Sequence, residues 1–234
     1  MSRTLNGSLN VQTSHTAEDW WLLLIECMQQ HGFLYSAPSH KKGESWFFST
    51  YFPANDSVQD CEADRYWGSF SSLLRKAIEL ERITKKGEAS SIIAAFWAED
   101  DEGFYLEPQL SLDRSGQFLL HLNVDGAHFM AIPLEQLQRR VRRILACFQA
   151  LWEMSQPSYG DMYWNSGYLH VSCAIFSVAP HLSDSTRETY SGKILNYVKR
   201  TGKHGATFFV ADPFPVAHAE GDYWRFIPLG NKNE

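Results

Sequence analysis

Close cysteine pairs are missing from this 234-residue chain: Cys27, Cys61, Cys147 and Cys173 stand far apart. A structural zinc site or a Cys-x-x-Cys redox centre needs ligands a few positions apart, so neither class fits. Three of the four sit inside apolar helix or strand patterns and are expected to be reduced, buried thiols. Positive charge is also scarce. Lys and Arg number 21 against 27 Asp and Glu, which leaves a net charge of −6 and a pI near 5.8. Phosphate neutralisation needs a clustered basic excess, so nucleic acid is an unlikely partner and a basic protein suits the chain better. Long apolar runs are absent, and Met1 to His15 lacks the apolar core of a signal peptide. A cytoplasmic protein with no membrane contact is therefore expected. There is no nucleophile elbow and no Gly-rich phosphate loop, and the acidic run Glu99–Asp100–Asp101–Glu102 lacks calcium-loop spacing. No cofactor and no metal are expected.

What is present is architecture. Hydrophobic residues make up 44% and charged residues 21%, ordinary for a globular chain, whereas aromatics reach 14% with eight Trp. From Ser91 onward, strand-forming segments alternate with turn clusters at Asp100–Gly103, Asp113–Gly116 and Asp125–Gly126. This predicts a four-strand antiparallel meander over about 91–132. Asp125-Gly126 suits a two-residue turn that sets Leu122 opposite Phe129 and brings His121, Asn123 and His128 to one mixed face. Pro133 then opens a long helix in which Leu134, Leu137, Val141, Ile144, Leu145, Phe148, Leu151 and Trp152 form one stripe. Its opposite side carries Arg139, Arg140, Arg142 and Arg143, most simply a solvated polar face.

Thr16 with Glu18 and Asp19 marks the start of an earlier helix that Gly32 stops, and Phe70, Leu73, Leu74, Ala77 and Ile78 trace another. Strands are expected at Trp46–Phe52, Tyr168–Val178, Ala206–Ala211 and Tyr223–Ile227, and a further helix from the capping pattern Ser185/Glu188 to Gly202. The fold class is therefore α+β, a mixed and largely antiparallel sheet covered by amphipathic helices. Residues 1–15 are expected to be flexible, 16–229 to form a single domain and 230–234 a polar tail. The order helix-strand-helix-strands occurs in 16–132 and again in 133–229, which is either a duplicated unit or a coincidence of a mixed fold.

Two histidine arrangements invite an enzymatic interpretation. His170-Val171-Ser172 has the histidine-any-serine form of two-histidine phosphoesterases, and His121-Leu122-Asn123 has the partner position with Asn in place of Ser or Thr. Catalytic residues would then be His121, His170 and Ser172; the plainer alternative makes both histidines ordinary strand residues. His121 and His128 fall short of the three protein ligands of a catalytic zinc. A binding surface is the stronger expectation. Aromatic clusters in loop-like segments, Tyr66–Trp67, Tyr159 with Tyr163–Trp164, and Trp224 near Phe214, lie among Asp64, Asp161, Glu220 and Asp222. Rigid rings supply contact area and carboxylates steer a basic partner, although each cluster alone would serve equally well to cap a core.

Tyr66-Trp67-Gly68 ahead of a helix, and a long helix running into Pro157-Ser158-Tyr159-Gly160 before an aromatic-rich stretch, resemble the layout of cytoplasmic immunity proteins that neutralise bacterial polymorphic or contact-delivered toxins. The resemblance implies an α+β fold, no catalysis, and function by occluding a toxin, frequently a basic nuclease.

Overall fold

A computed structural model of the chain describes residues 4–11, 15–52, 62–85, 88–155, 159–166, 171–177, 187–190, 193–202, 207–217 and 224–227. In chain order the first elements are β1 (Thr4–Asn10), α1 (Ala17–Gln30), β2 (Phe33–Leu34), β3 (Glu44–Phe52), β4 (Glu62–Ser69) and α2 (Phe70–Thr84). They are followed by β5 (Ala89–Ala94), β6 (Phe96–Ala98), β7 (Tyr105–Leu112), β8 (Phe118–Asp125) and α3 (Leu134–Ser155). The remainder is β9 (Tyr159–Ser166), β10 (Val171–Ser177), β11 (Arg187–Tyr190), β12 (Lys193–Thr201), β13 (Thr207–Asp212), β14 (Phe214–Ala217) and β15 (Trp224–Ile227). The class is α+β with a largely antiparallel sheet, as the composition of turns and stripes predicts. No helix among the described residues is long and apolar enough to cross a membrane.

The chain divides into two compact units. One comprises Ser8–Asn123 with Met154–Ser158, the other Met1–Gly7, Val124–Glu153 and Tyr159–Glu234. In the Ser8–Asn123 unit the strands lie in the order β8-β7-β5-β3-β4, each antiparallel to its neighbour. Alternation along these strands is regular: Leu106, Leu110 and Leu112 of β7, Phe118, Leu120 and Leu122 of β8 and Ile92 and Ala94 of β5 are all buried. Both α1 and α2 pack on that side, through Trp21, Leu24 and Met28 and through Leu73, Ala77 and Leu80. Each fully buried Leu or Phe there contributes about 1.5–3 kcal/mol.

The ends of α1 follow from its residues. Thr16 accepts from the Asp19 backbone while the Asp19 carboxylate accepts from the Thr16 backbone at 2.9 Å, a reciprocal cap with an acidic first turn. At the other end Gly32 takes φ +73°, a left-handed position that glycine occupies without a Cβ clash. The second turn cluster of the meander is equally specified, since Asp113 accepts from the backbones of Ser115 and Gln117 at 2.8 and 2.9 Å.

In the other unit the described strands run in the order β11-β12-β13-β10-β9, with β14 and β15 as a separate hairpin. The apolar stripe of α3 is buried at Leu137, Val141, Ile144, Phe148 and Leu151, and the Trp152 ring packs on Phe208 of β13 at 5.3 Å. Gly7 of β1 meets the Phe148 ring, where an added Cβ would collide with the ring carbons.

Four expectations are corrected. The hairpin at Asp125-Gly126 is absent: Asp125 instead accepts from Ala127 N at 2.9 Å and caps a 3-10 turn, Gly126–Phe129, and Ala131 follows at φ +53°. An Asp that suits a hairpin turn suits an N-cap equally well. Phe129 therefore does not pair with Leu122, and the edge of β8 is occupied by β1, with Val11 N donating to Phe118 O at 3.3 Å. The N-terminal segment expected to be flexible is thus partly a strand, from Thr4 to Asn10. The expected helix up to Gly202 is two strands, β11 and β12, paired from Arg187↔Asn196 to Tyr190↔Lys193. Leu195 and Tyr197 are buried and Asn196 is exposed, a period of two that the capping pattern obscured. The described residues after Pro133 hold one helix, α3, so they do not repeat the order of the first half.

Candidate functional site

Strand register places a second set of side chains on the face of the Ser8–Asn123 unit's sheet that α1 and α2 leave uncovered. Trp67 of β4 faces Trp46 of β3, and Arg65 faces Phe48. Phe48 and Thr50 face Ile93 and Ser91 of β5, which face Gln109 and Ser111 of β7, which face His121 and Leu119 of β8. Pleating puts all of these on one side. Most of them are half-buried.

This face has a polar part and an aromatic part. In the polar part, Ser8 Oγ and His121 Nδ1 are hydrogen-bonded at 2.8 Å, the Asn123 amide donates to Gln109 at 3.1 Å, and the Gln109 amide donates to Ser111 at 2.9 Å. Thr50 and Ser91 join their hydroxyls, and the Gln117 amide donates to Asn10. Burial pushes the His121 pKa below the ordinary imidazole value, which favours the neutral ring. In the aromatic part, Arg65 lies 4.5 Å over the Trp46 ring, Tyr105 meets Trp46 edge-on at 6.1 Å, and Trp97 leans on Tyr105 at 4.6 Å. Trp67 is 48% exposed, with the His40 ring 3.6 Å from its own.

Of the expected contact residues, Asp64, Tyr66 and Trp67 all lie on β4, a strand and not a loop, and the alternation separates them. Tyr66 turns to the α2 side, where it stacks on Phe47 at 5.1 Å, donates its hydroxyl to Asp64 at 3.1 Å and has Lys76 Nζ 5.5 Å from its ring. Burial alone would lower the Lys76 pKa, but Glu79 at 3.1 Å and the Tyr66 hydroxyl raise it, so the ammonium stays charged. Trp67 is left on the uncovered side with Arg65 and His40 as neighbours. Tyr159, Asp161, Tyr163 and Trp164 belong to β9, again a strand, in which Tyr163 is opposite Ala174 and Trp164 opposite Cys173. Trp224 is in β15, opposite Ala217. Glu220 and Asp222 lie outside the described residues.

The histidine arrangements fare differently. Ser172 is in β10 opposite Asn165, and His170 lies outside the described residues. His128 sits in the 3-10 turn, so the hairpin register that would have joined it to His121 does not exist. Among the described residues no group of three His, Cys, Asp or Glu is arranged to hold a metal ion. The two described cysteines with placed side chains, Cys27 and Cys147, are buried, and burial followed by the nearby Glu26 pushes the Cys27 thiol up to about 12, which makes it unreactive at neutral pH.

No family model matches this sequence, and searches of curated proteins and of solved structures return no match. The surface residues missed from sequence are Trp46, Arg65 and His40. Two of them were within reach: Trp46-x-Phe48 and Arg65-x-Trp67 share a face once both segments are read as strands.

Proposed function

We propose that the protein is a non-catalytic binding module whose uncovered sheet face receives a protein partner, with Trp67 as the central anchor. Its sharper form is an immunity protein that neutralises a cognate bacterial toxin by occluding it, which rests on the resemblance given above. The observation that carries the binding function is the exposure of Trp67 on a strand paired along its whole length, from Glu44↔Ser69 to Tyr51↔Glu62. A large ring held by a rigid strand loses little entropy on docking, and such rings dominate interface energies. The adjoining row of hydroxyls, amides and imidazole supplies the donors and acceptors of a polar rim. Neutral His121 beside a serine is also compatible with proton transfer, and the register puts the Glu107 carboxylate of β7 on the same side, opposite Asn123, but among the described residues no hydrogen bond from His121 to a carboxylate is found.

The test is affinity capture from the native cytoplasm with tagged wild-type protein, Trp67→Ala and Leu22→Ala in parallel, followed by co-expression of the captured protein in a growth assay. Leu22 of α1 is as exposed as Trp67, at 47%, but lies on the helical layer. Capture lost only with Trp67→Ala, with growth inhibition relieved by wild-type protein, supports the immunity function. Capture equal in all three refutes the proposed surface.

A further inference from the structure

Among the described residues bordering Trp67, the charge is opposite in sign to that of the whole chain. His40 packs on Trp67, and Lys41 and Lys42 follow it in a turn closed by Gly43 N donating to Ser36 at 3.1 Å and Glu44 N donating to Lys41 O at 2.9 Å. Arg65, two residues from Trp67 on the same side of β4, covers Trp46. Lys41, Lys42 and Arg65 are exposed, and no described carboxylate pairs with any of them, whereas Lys76, Lys85 and Arg139 each have a glutamate within 4 Å. The carboxylate expected to flank Trp67, that of Asp64, points to the opposite side with Tyr66. Glu44 is the single acid of the turn, against His40, Lys41 and Lys42.

We propose that the Trp67 surface recognises an acidic segment of its protein partner, one that sets an aromatic or apolar side chain against Trp67 and its carboxylates against Lys41, Lys42 and Arg65. This deepens the binding function proposed above and reverses the basic partner that net charge suggests. Screening confines charge effects to about 8 Å at physiological salt, so the groups bordering the contact outweigh the distant excess of acids. An unpaired guanidinium over a ring offers a carboxylate a two-pronged hydrogen bond without first breaking an ion pair. A nucleic acid would be drawn to the same cations and rings, but its many phosphates would meet the −6 charge of the remaining surface.

The experiment is fluorescence anisotropy of the full chain with three labelled probes: a random Glu/Tyr copolymer, a random Lys/Tyr copolymer, and a short oligothymidylate. Tightest binding of the Glu/Tyr probe is expected. It should weaken about tenfold or more in Lys41→Glu/Lys42→Glu/Arg65→Glu, weaken again as salt rises, and hold in the exposed control Lys193→Glu/Lys199→Glu. Lys41→Gln/Lys42→Gln gives a milder variant should the triple reversal fail to fold. Preference for Lys/Tyr, or equal loss in the control, overturns the proposal, and preference for oligothymidylate assigns the surface to nucleic acid instead. If Trp67→Ala abolishes capture of the native partner while the charge reversals leave it intact, the acidic segment is refuted and the binding surface stands. If neither affects capture, both fall.

Discussion

Gln109 and Leu110 are consecutive residues of β7, yet they belong to two different materials. Leu110 is buried under α1 and α2 with Ile92, Leu112 and Leu120, where every atom displaced from water stabilises the fold. Gln109 is half-buried on the uncovered side, bridged by hydrogen bonds to Asn123 and Ser111. The helix-covered face has interchangeable hydrophobic parts and one task, which is to exclude water. The uncovered face has specific donors, acceptors and rings whose net contribution to folding is small, because each hydrogen bond replaces one to water. Contact with a partner is the use proposed for such a face.

The sharpest way to break this contrast is to truncate both neighbours. Leu110→Ala removes a methyl cluster from the packed layer and should cost about 2–5 kcal/mol in urea unfolding; Gln109→Ala should cost about 1 kcal/mol. Equal losses would mean that the uncovered face is as structural as the covered one.

Acid should separate the faces next. Burial depresses the His121 pKa in the folded state, so the unfolded chain takes up the proton first as pH falls. The contribution is intact above the ordinary imidazole value of about 6.5 and is lost progressively as pH drops from there through the lower folded value. His121→Gln should flatten that part of the stability-versus-pH curve, measured by urea midpoints, and leave neutral-pH behaviour little changed. A curve that keeps its slope without His121 places the proton elsewhere.

At the level of the helix layer, Thr16→Ala removes the reciprocal cap with Asp19 and should lower stability by about 1 kcal/mol, seen as a fall in Tm. The smallest effect is expected at Trp67. Trp67→Ala should shift stability by no more than about 0.5 kcal/mol, since the ring is exposed, while binding changes strongly. A large loss of stability would make Trp67 a structural cap instead of an anchor.

The elements legible in the sequence are those in which one local signal dominates. Thr16/Asp19 and Gly32 bound α1, Pro133 and the Leu137–Val141–Ile144–Phe148 stripe define α3, and Asp113 and Gly116 fix the β7–β8 turn. Where two structures share a signal, the choice depended on distant chain. Asp125-Gly126 serves a hairpin or an N-cap, and β1, more than a hundred residues earlier, occupies the edge a hairpin would have used. Capping residues near 185 suggest a helix, but Leu195 and Tyr197 are buried at a period of two on β12, whose Asn196 to Thr201 pair with Asp212 to Thr207 of β13. Trp67 was visible as an exposed-ring candidate because of its composition and neighbours. Of its companions, Trp46 and Arg65 need only both segments read as strands, with Asp64 then on the opposite side, whereas His40 reaches Trp67 from a turn twenty-odd residues away.

The most direct test is the affinity of the native partner for wild-type protein, Trp67→Ala and Leu22→Ala, each variant first matched to wild type in its unfolding midpoint. Loss of about tenfold or more for Trp67→Ala with Leu22→Ala unchanged is the predicted result, since equally exposed apolar side chains then differ only in the face that carries them. Equal affinities for all three proteins would contradict the claim that the uncovered sheet face is the binding surface.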